Sequence, residues 1–301
     1  HYMAYANEHL AFNAPLAEVL TGQLSAMHDT HLFLNQNRQY GASLYDTHSD
    51  GSGVCYSSRL RPILNMRPKF QTQWSCFGEK DTNLREFNLD LYTIDWMEHF
   101  GFDYDVLTDE DMHYEGVQAL EPYNVIITGG HPEYYSKQMR DSVFEYTQRG
   151  GRLMYMGGNG FYWRVALHSE MPGVIEVRRC EAAIKTWNAD TGEYYHSFTG
   201  EHGGLWRNQG ETEPQRLTGV GFTAEGFDIS SYYRQTESSK NPRVNFMFKG
   251  IGSDELLGDF GFHGGGAAGN ELDRADFALG TPPHASVSCS VKTDVGSSMI
   301  R

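Results

Sequence analysis

The sequence predicts an α/β protein: a parallel sheet with helices on its faces, followed by a β-rich half. Three observations predict it. Apolar β-type runs alternate with helical patterns between residues 89 and 156, the signature of parallel strands joined by crossover helices. Two of those runs, at 125–127 and 153–156, end on glycine pairs and deliver polar residues just beyond. After about residue 172, β-leaning fragments between Gly, Asn and Pro turns replace the helices.

The elements follow in order. The first dozen residues, HYMAYANEHLAF, read as a strand end or a loop dense in aromatic and polar groups. Residues 40–68 are rich in Gly, Ser and Asp without helical period and read as an ordered loop. Apolar residues near i, i+3, i+4 and i+7 predict a helix over 89–100, ended by Gly101. A short strand is expected over 102–107, then a short helix capped by Thr108. Residues 124–128 read as a buried strand, 134–149 as a helix stopped by Gly150-Gly151, and 152–156 as the next strand. VIEVRRC, IKTWNA, GVGFTAEGF, SSYYRQ and RVNFMFKGI supply the later strands. The domain reading is an α/β core over 1–171 and a β-rich half over 172–301, packed on the core without a flexible linker or repeats.

Composition narrows the function. At 301 residues the chain suits two domains of ~150 residues and a proper core. No apolar run reaches the ~18 residues of a membrane span. A formal charge of −15 argues against nucleic acid, whose phosphates demand a basic surface. Cys55, Cys76, Cys180 and Cys289 lie far apart with no CxxC pair, so reduced thiols and a cytoplasmic location are expected. No signal peptide is visible. The chain opens on His1 inside what reads as structure, and VKTDVGSSMIR closes without a terminal element, so missing portions are expected at both ends.

Several motifs weigh less than they first suggest. GGGAAG (264–269) matches G-x-G-x-x-G, but no buried strand precedes it and no acid follows ~20 residues on, so a dinucleotide is rejected. Those glycines instead allow close packing and aim Glu271. The pairs His28/His31 and His196/His202 show no single helical face with a third ligand and read as surface or loop histidines. No G-x-S-x-G elbow exists and no cysteine sits on either glycine turn, so a serine or cysteine nucleophile is not expected. Most of the 18 tyrosines should pack a ring and hydrogen-bond a hydroxyl. In open α/β sheets ligands bind beyond the carboxyl ends of strands. His131, Glu133 and Asn159 follow the two glycine turns and so read as an active-site rim, although Glu133 equally reads as a helix-start carboxylate.

The motifs YMAYANEH, YDTHSDGSGVCYSSRLRP, ITGGHPEYYS, GGRLMYMGGNGFYWR, YHSFTGEHGGLWR, SSYYR and GDFGFHGGGAAGNELDR run in order along nearly the whole chain. Together they closely resemble the catalytic part of the large (beta) subunit of the N,N-dimethylformamidase family. The resemblance implies a core similar to class I glutamine amidotransferases without their catalytic cysteine. It implies a mononuclear iron, ferric in the expected state, held by two tyrosines and one glutamate. Matched residue by residue, Tyr56 is one ligand, Glu133 the carboxylate, and Tyr5 the second tyrosine, with Tyr2 as the alternative. His131, Asn159 and Glu271 fall on family active-site positions. The resemblance further implies a small subunit as partner and self-association of large subunits. By the resemblance, the family's upstream β-rich domain and the last portion of its catalytic domain are expected to lie outside this sequence.

Phenolate and carboxylate are hard donors that suit a highly charged ion. Three protein ligands leave positions open for water and a substrate carbonyl. In this reading Glu271 carries protons, His131 hydrogen-bonds the substrate oxygen or the water, and Asn159 faces the developing oxyanion. Phe161, Tyr162 and Trp163 either wall an apolar pocket for N-methyl groups or pack in the core. The alternatives are a hydrolase of another small N-alkyl amide and a non-catalytic amidotransferase-like binding module.

Overall fold

The computed structural model describes residues 1–8, 29–70, 87–182, 186–261 and 265–291. They form two units: residues 1–157 with 161–209, and residues 158–160 with the chain from 210 onward. The stretch 172–209, assigned by sequence to the β-rich half, belongs to the first unit.

The first unit holds strands Tyr56–Ser58 (β1), Val125–Ile127 (β2), Tyr134–Tyr135 (β3), Arg152–Met154 (β4), Trp163–Leu167 (β5) and Val174–Val177 (β6). β1-β6-β5-β3 form one sheet, and β2 pairs with β4 in another. β2 runs parallel to β4 with Val125 opposite Arg152, so the two runs that end on glycine pairs are neighbours. β3 and β5 are also parallel, whereas β6 lies antiparallel to both β5 and β1. The core sits on the four-stranded sheet, where Trp163, Val165, Leu167, Ile175 and Val177 are buried. β2 is less covered than its apolar sequence suggests, with Val125 exposed.

Helices Asp29–Gln36 (α1), Phe87–Phe100 (α2), Asp109–Glu115 (α3) and Lys137–Gln148 (α4) belong to the same unit. Gly101 ends α2 at φ 69°, a left-handed conformation that glycine adopts freely. Thr108 starts α3 by accepting from the Asp111 amide, while the Asp111 carboxylate accepts from Thr108 N at 2.8 Å. Ser136 caps α4 and receives the Met139 amide at 3.2 Å. That cap keeps Tyr134 and Tyr135 out of the helix expected from 134 and leaves them to β3. α4 buries Met139, Val143 and Tyr146 on one face.

Residues 102–107 form no strand. Phe102 and Val106 are exposed, and side chains anchor the segment instead: Tyr104 donates to Glu98 and Tyr123 to Asp105. Apolar alternation makes a strand only where a partner edge is available.

The second unit holds Gln215–Thr218 (α5) and strands Gly221–Ser231 (β7), Tyr233–Gln235 (β8), Ala268–Arg274 (β9) and Cys289–Val291 (β10). β7 pairs antiparallel with β9 through irregular register, and β8 pairs with β10. RVNFMFKGI, read as a strand, makes a 3-10 turn at Asn245–Phe248 and leaves Phe246 exposed. Of IKTWNA, residues 184 and 185 lie outside the described residues; Trp187 and Ala189 are buried without joining a strand. Gly269 lies inside β9, so no helix opens on the glycines of GGGAAG.

Two histidines correct the sequence reading. His31 and His196 are each 1% exposed, inside the protein rather than on surface loops. His28 and Cys76 lie outside the described residues. Cys55, Cys180 and Cys289 form no disulfide among the described residues, and Cys180 is buried. No helix among the described residues is long and apolar enough to cross a membrane.

Candidate active site

Amide side chains fix the opening segment. Asn65 donates to Tyr5 O at 2.7 Å and accepts from Asn7 N at 3.0 Å, while Asn7 Oδ1 accepts from Leu64 N at 2.7 Å. The Leu44 amide bonds to Ala4 O at 3.1 Å. These bonds bring Tyr5 against Tyr45, with rings stacked at a centroid distance of 4.4 Å.

The glycine turn after β2 places Glu133. Gly130 N donates to Asp90 Oδ1 at 2.8 Å. The Glu133 carbonyl accepts from Tyr162 N and Trp163 N at 3.1 and 2.9 Å, and Pro132 O from Phe161 N at 2.8 Å. A Cβ on Gly157 would lie 2.6 Å from Gly130 O. The two glycine turns therefore touch backbone to backbone, and a side chain at 157 would part them. Glu133 lies before the Ser136 cap, so it is not a helix-start carboxylate, and it is 3% exposed.

Three hydroxyls and this carboxylate form one hydrogen-bonded cluster, in which Tyr5, Tyr134 and Glu133 are buried. Tyr5 donates to Glu133 Oε2 at 3.2 Å. The Tyr45 hydroxyl bonds to that of Tyr5 and lies 2.5 Å from that of Tyr134. Buried Arg179 spans the group: it donates to Tyr134 Oη at 3.1 Å and to Leu44 O at 3.1 Å, and its guanidinium sits 4.1 Å from the Tyr45 ring centroid and 4.8 Å from that of Trp163.

Burial pushes the Tyr45 hydroxyl well above the usual phenol range; the Glu133 charge adds to this, and Arg179 opposes it. Tyr134 is raised mainly by burial too, with Arg179 again opposing. Burial lowers the Arg179 pKa, but its surroundings, Tyr134 first, more than offset this and the pKa rises. In the metal-free chain both phenols are therefore protonated at neutral pH. Only a strongly charged partner would ionise them.

Two imidazoles flank the carboxylate. His1 Nδ1 lies 3.7 Å and His131 Nδ1 3.8 Å from Glu133 Oε2, with the two rings 4.5 Å apart. One ligand atom from each of these three residues falls within 4.8 Å of the others.

The structure thus brings together Tyr5, His131 and Glu133 of the residues expected from sequence. Tyr2 is turned elsewhere, its hydroxyl bonded to Asp90. Tyr56 is not brought to the cluster either. Its pairing in β1 opposite Glu176 leaves it 46% exposed, with its hydroxyl 2.9 Å from Ser197 Oγ and 2.9 Å from Arg178 Nη2. Tyr45, the first residue of the same YDTHSDGSGVCYSSRLRP motif, stands there instead. Phe161, Tyr162 and Trp163 are buried core residues. His1, Tyr45, Tyr134 and Arg179 escaped the sequence reading. A charge closing the apolar run VIEV was the available signal for Arg179.

In the second unit, Asn159 Nδ2 donates to Glu271 Oε1 at 3.4 Å, and Asn159 N to Asp273 Oδ1 at 3.0 Å. Asn159 adopts φ 55°, and its buried Oδ1 has no hydrogen-bond partner among the described residues. A Cβ on Gly158 would lie 2.8 Å from Glu271 O, so glycine is needed for this approach.

The sequence model of a family described as "N,N-dimethylformamidase beta subunit-like, C-terminal" matches residues 1–298. The N,N-dimethylformamidase beta subunit of Paracoccus aminophilus is 43% identical over 284 residues, which is 94% of this chain and 36% of that protein. The beta subunit from an Alcaligenes species is 42% identical over the same shares. The chain therefore spans 36% of the length of these curated relatives.

Proposed function

Because the chain belongs to the N,N-dimethylformamidase beta subunit-like, C-terminal family, we propose that it carries the active site of an iron-dependent amide hydrolase. The reaction is N,N-dimethylformamide plus water giving formate and dimethylamine. The observation that carries the reading is the hydrogen-bonded Tyr5–Tyr45–Glu133 oxygen cluster, in which Tyr5 and Glu133 are buried. The parallel pairs β2–β4 and β3–β5 support an amidotransferase-like core.

The donor set fits a ferric ion. Two phenols and one carboxylate are hard oxygen ligands, and the Tyr45 phenol is a group that burial otherwise keeps protonated. Tyr5, Tyr45 and Glu133 would hold it, with Tyr45 in the place that sequence gave to Tyr56. When bound, iron supplies Lewis acidity toward the amide and its water.

The chain's own groups do the rest. A tertiary formamide has no N–H, so its orientation depends on donors to the carbonyl. His131, beside Glu133, serves this role, and Asn159 is the proposed amide donor to the oxyanion. Glu271, held by Asn159, is the proposed proton carrier: it takes a proton from the attacking water and returns one to the departing nitrogen as the C–N bond breaks. The relatives' beta-subunit names support a second, different subunit as partner.

A second reading uses His1, His131 and Glu133 as a two-histidine, one-carboxylate set, which favours ferrous iron. Absorption decides between them. Phenolate-bound ferric iron gives a visible tyrosinate band, while the histidine set gives a colourless protein. A metal-free full-length protein without dimethylamine release would end both readings.

A further inference from the structure

Cys180, Glu181 and His202 form a second group of potential ligands that the proposed reaction does not use. Cys180 Sγ, one Glu181 carboxylate oxygen and a His202 ring nitrogen lie within 4.8 Å of one another. His202 Nε2 is 3.8 Å from Glu181 Oε1. These spacings are within a small side-chain rotation of those around a tetrahedral ion, whose bonds are roughly 2.0–2.3 Å.

Each ligand is oriented from behind. His202 Nδ1 lies 2.8 Å from Gly203 O, an acceptor that can only receive, so Nδ1 carries the proton. That tautomer leaves the Nε2 lone pair facing Glu181. Asn208 Nδ2 donates to the other carboxylate oxygen, Glu181 Oε2, at 3.3 Å. Gly204, at φ 81°, lets its loop close on the thiol; a Cβ there would lie 2.8 Å from Cys180 Sγ. A proton-bearing Nδ1 on a carbonyl behind a ligating Nε2 is the usual support of a metal-bound histidine.

We propose that Cys180, Glu181 and His202 bind a zinc-class divalent cation through Sγ, one carboxylate oxygen and Nε2. The donor set decides the class: thiolate with imidazole selects a borderline-soft ion, in contrast to the all-oxygen Tyr5–Tyr45–Glu133 cluster. Three protein ligands leave one position for water or a small anion. Cys180 is buried, while the His202 and Glu181 side chains are 28% and 39% exposed, which gives the ion a path from solvent. Binding releases the thiol proton to solvent, so affinity rises with pH. Cys180 directly follows Arg179, so an occupied site also anchors the segment that supports the phenol cluster.

The test uses the full-length protein with any partner subunit present. Chelator-stripped protein is dialysed against Zn²⁺, its zinc counted by mass spectrometry, and Co²⁺ substituted for a near-ultraviolet thiolate-to-cobalt band. One zinc per chain and a cobalt band are expected. Cys180→Ser should abolish the band, and His202→Gln, at a half-exposed position, should weaken zinc binding by more than Asn208→Ala. The latter loses only an orienting group and should cost about tenfold to 100-fold. Tyr45→Phe should leave zinc uptake unchanged, which separates this site from the proposed iron centre. No cobalt band in the wild-type protein, or zinc uptake as tight as wild type in Cys180→Ser and His202→Gln, would overturn the proposal.

Discussion

At the scale of single residues, Glu133 is where the candidate site converges, since Tyr5, His1 and His131 all approach the same carboxylate oxygen. Two tyrosines of one motif compete for the second phenolate role, and their surroundings decide. Tyr45 stacks on buried Tyr5 and bonds to its hydroxyl, whereas Tyr56 is half-exposed on Ser197 and Arg178. Tyr45→Phe should therefore weaken the visible tyrosinate band and lower iron content, while Tyr56→Phe keeps both; iron analysis with an absorption spectrum checks this, and the reverse result would restore Tyr56. Arg179 gives a stability prediction. It is buried, with Glu133 among the charges that hold it. Arg179→Met removes the buried donors to Tyr134 Oη and Leu44 O, and losing hydrogen bonds made by a buried charged group costs about 1.5–3 kcal/mol. Urea unfolding of the metal-free protein should show that loss, and an unchanged midpoint would mean that those two hydrogen bonds add nothing to stability. Sequence pointed to Glu133 and His131 through the glycine turn that precedes them, whereas Tyr5 came only from the family resemblance, with Tyr2 as its alternative. It could not separate Tyr45 from Tyr56, because strand pairing in β1 and the loop before it fix which ring turns inward.

At the scale of elements, the helices and their ends were legible where local chemistry decides. Thr108 caps its helix, and Gly101 ends the one before it, as spacing and residue type indicated. Strands were less legible because a partner edge decides them. Residues 102–107 and RVNFMFKGI carry strand-like sequence and find no ladder, whereas the parallel neighbours β2 and β4 were readable from two apolar runs around one helix. The contact that matters most for the candidate site is the one between glycine turns, and its test is Gly157→Ala. The new Cβ would meet Gly130 O and Pro132 Cδ at 2.6 and 2.9 Å, so the turns must separate. Overpacking of this kind costs about 1–3 kcal/mol. The displacement falls on the segment carrying His131 and Glu133. The expected outcome is a folded protein with a modestly lower melting temperature and a disproportionate loss of iron. Equal iron content with equal melting temperature would show that the turns tolerate separation.

At the scale of the whole molecule, two pH effects of opposite sign meet. The chain carries −15 at neutral pH with an isoelectric point near 5.2, so acidification toward that point relieves self-repulsion and favours the compact state. His196 works against this. It is 1% exposed, neither ring nitrogen has a hydrogen-bond partner among the described residues, and burial pushes its pKa down to about 4. Unfolding returns the ring to a value near 6.5, so between the two pKa values the unfolded chain binds a proton that the folded chain refuses. Stability is then complete above about pH 6.5 and falls as pH drops toward 4, by up to about 3 kcal/mol. Glu176 acts in a different window. Burial raises it, but the Ser197 and Phe198 amides and Arg178 outweigh that and hold it below its usual 4.5, so its contribution is lost only at lower pH. His113, lowered chiefly by burial, adds to the His196 effect with the same sign but is only half enclosed. At ~0.15 M salt the diffuse repulsion is screened over about 8 Å, while the buried imidazole is not. The His196 effect should therefore win, and urea midpoints of the metal-free protein should fall between pH 7 and 5 despite the approach to the isoelectric point. His196→Leu, which fills the same buried volume without a titrating ring, should flatten or reverse that slope. A variant whose midpoint falls as steeply as the wild type's would place the acid sensitivity elsewhere.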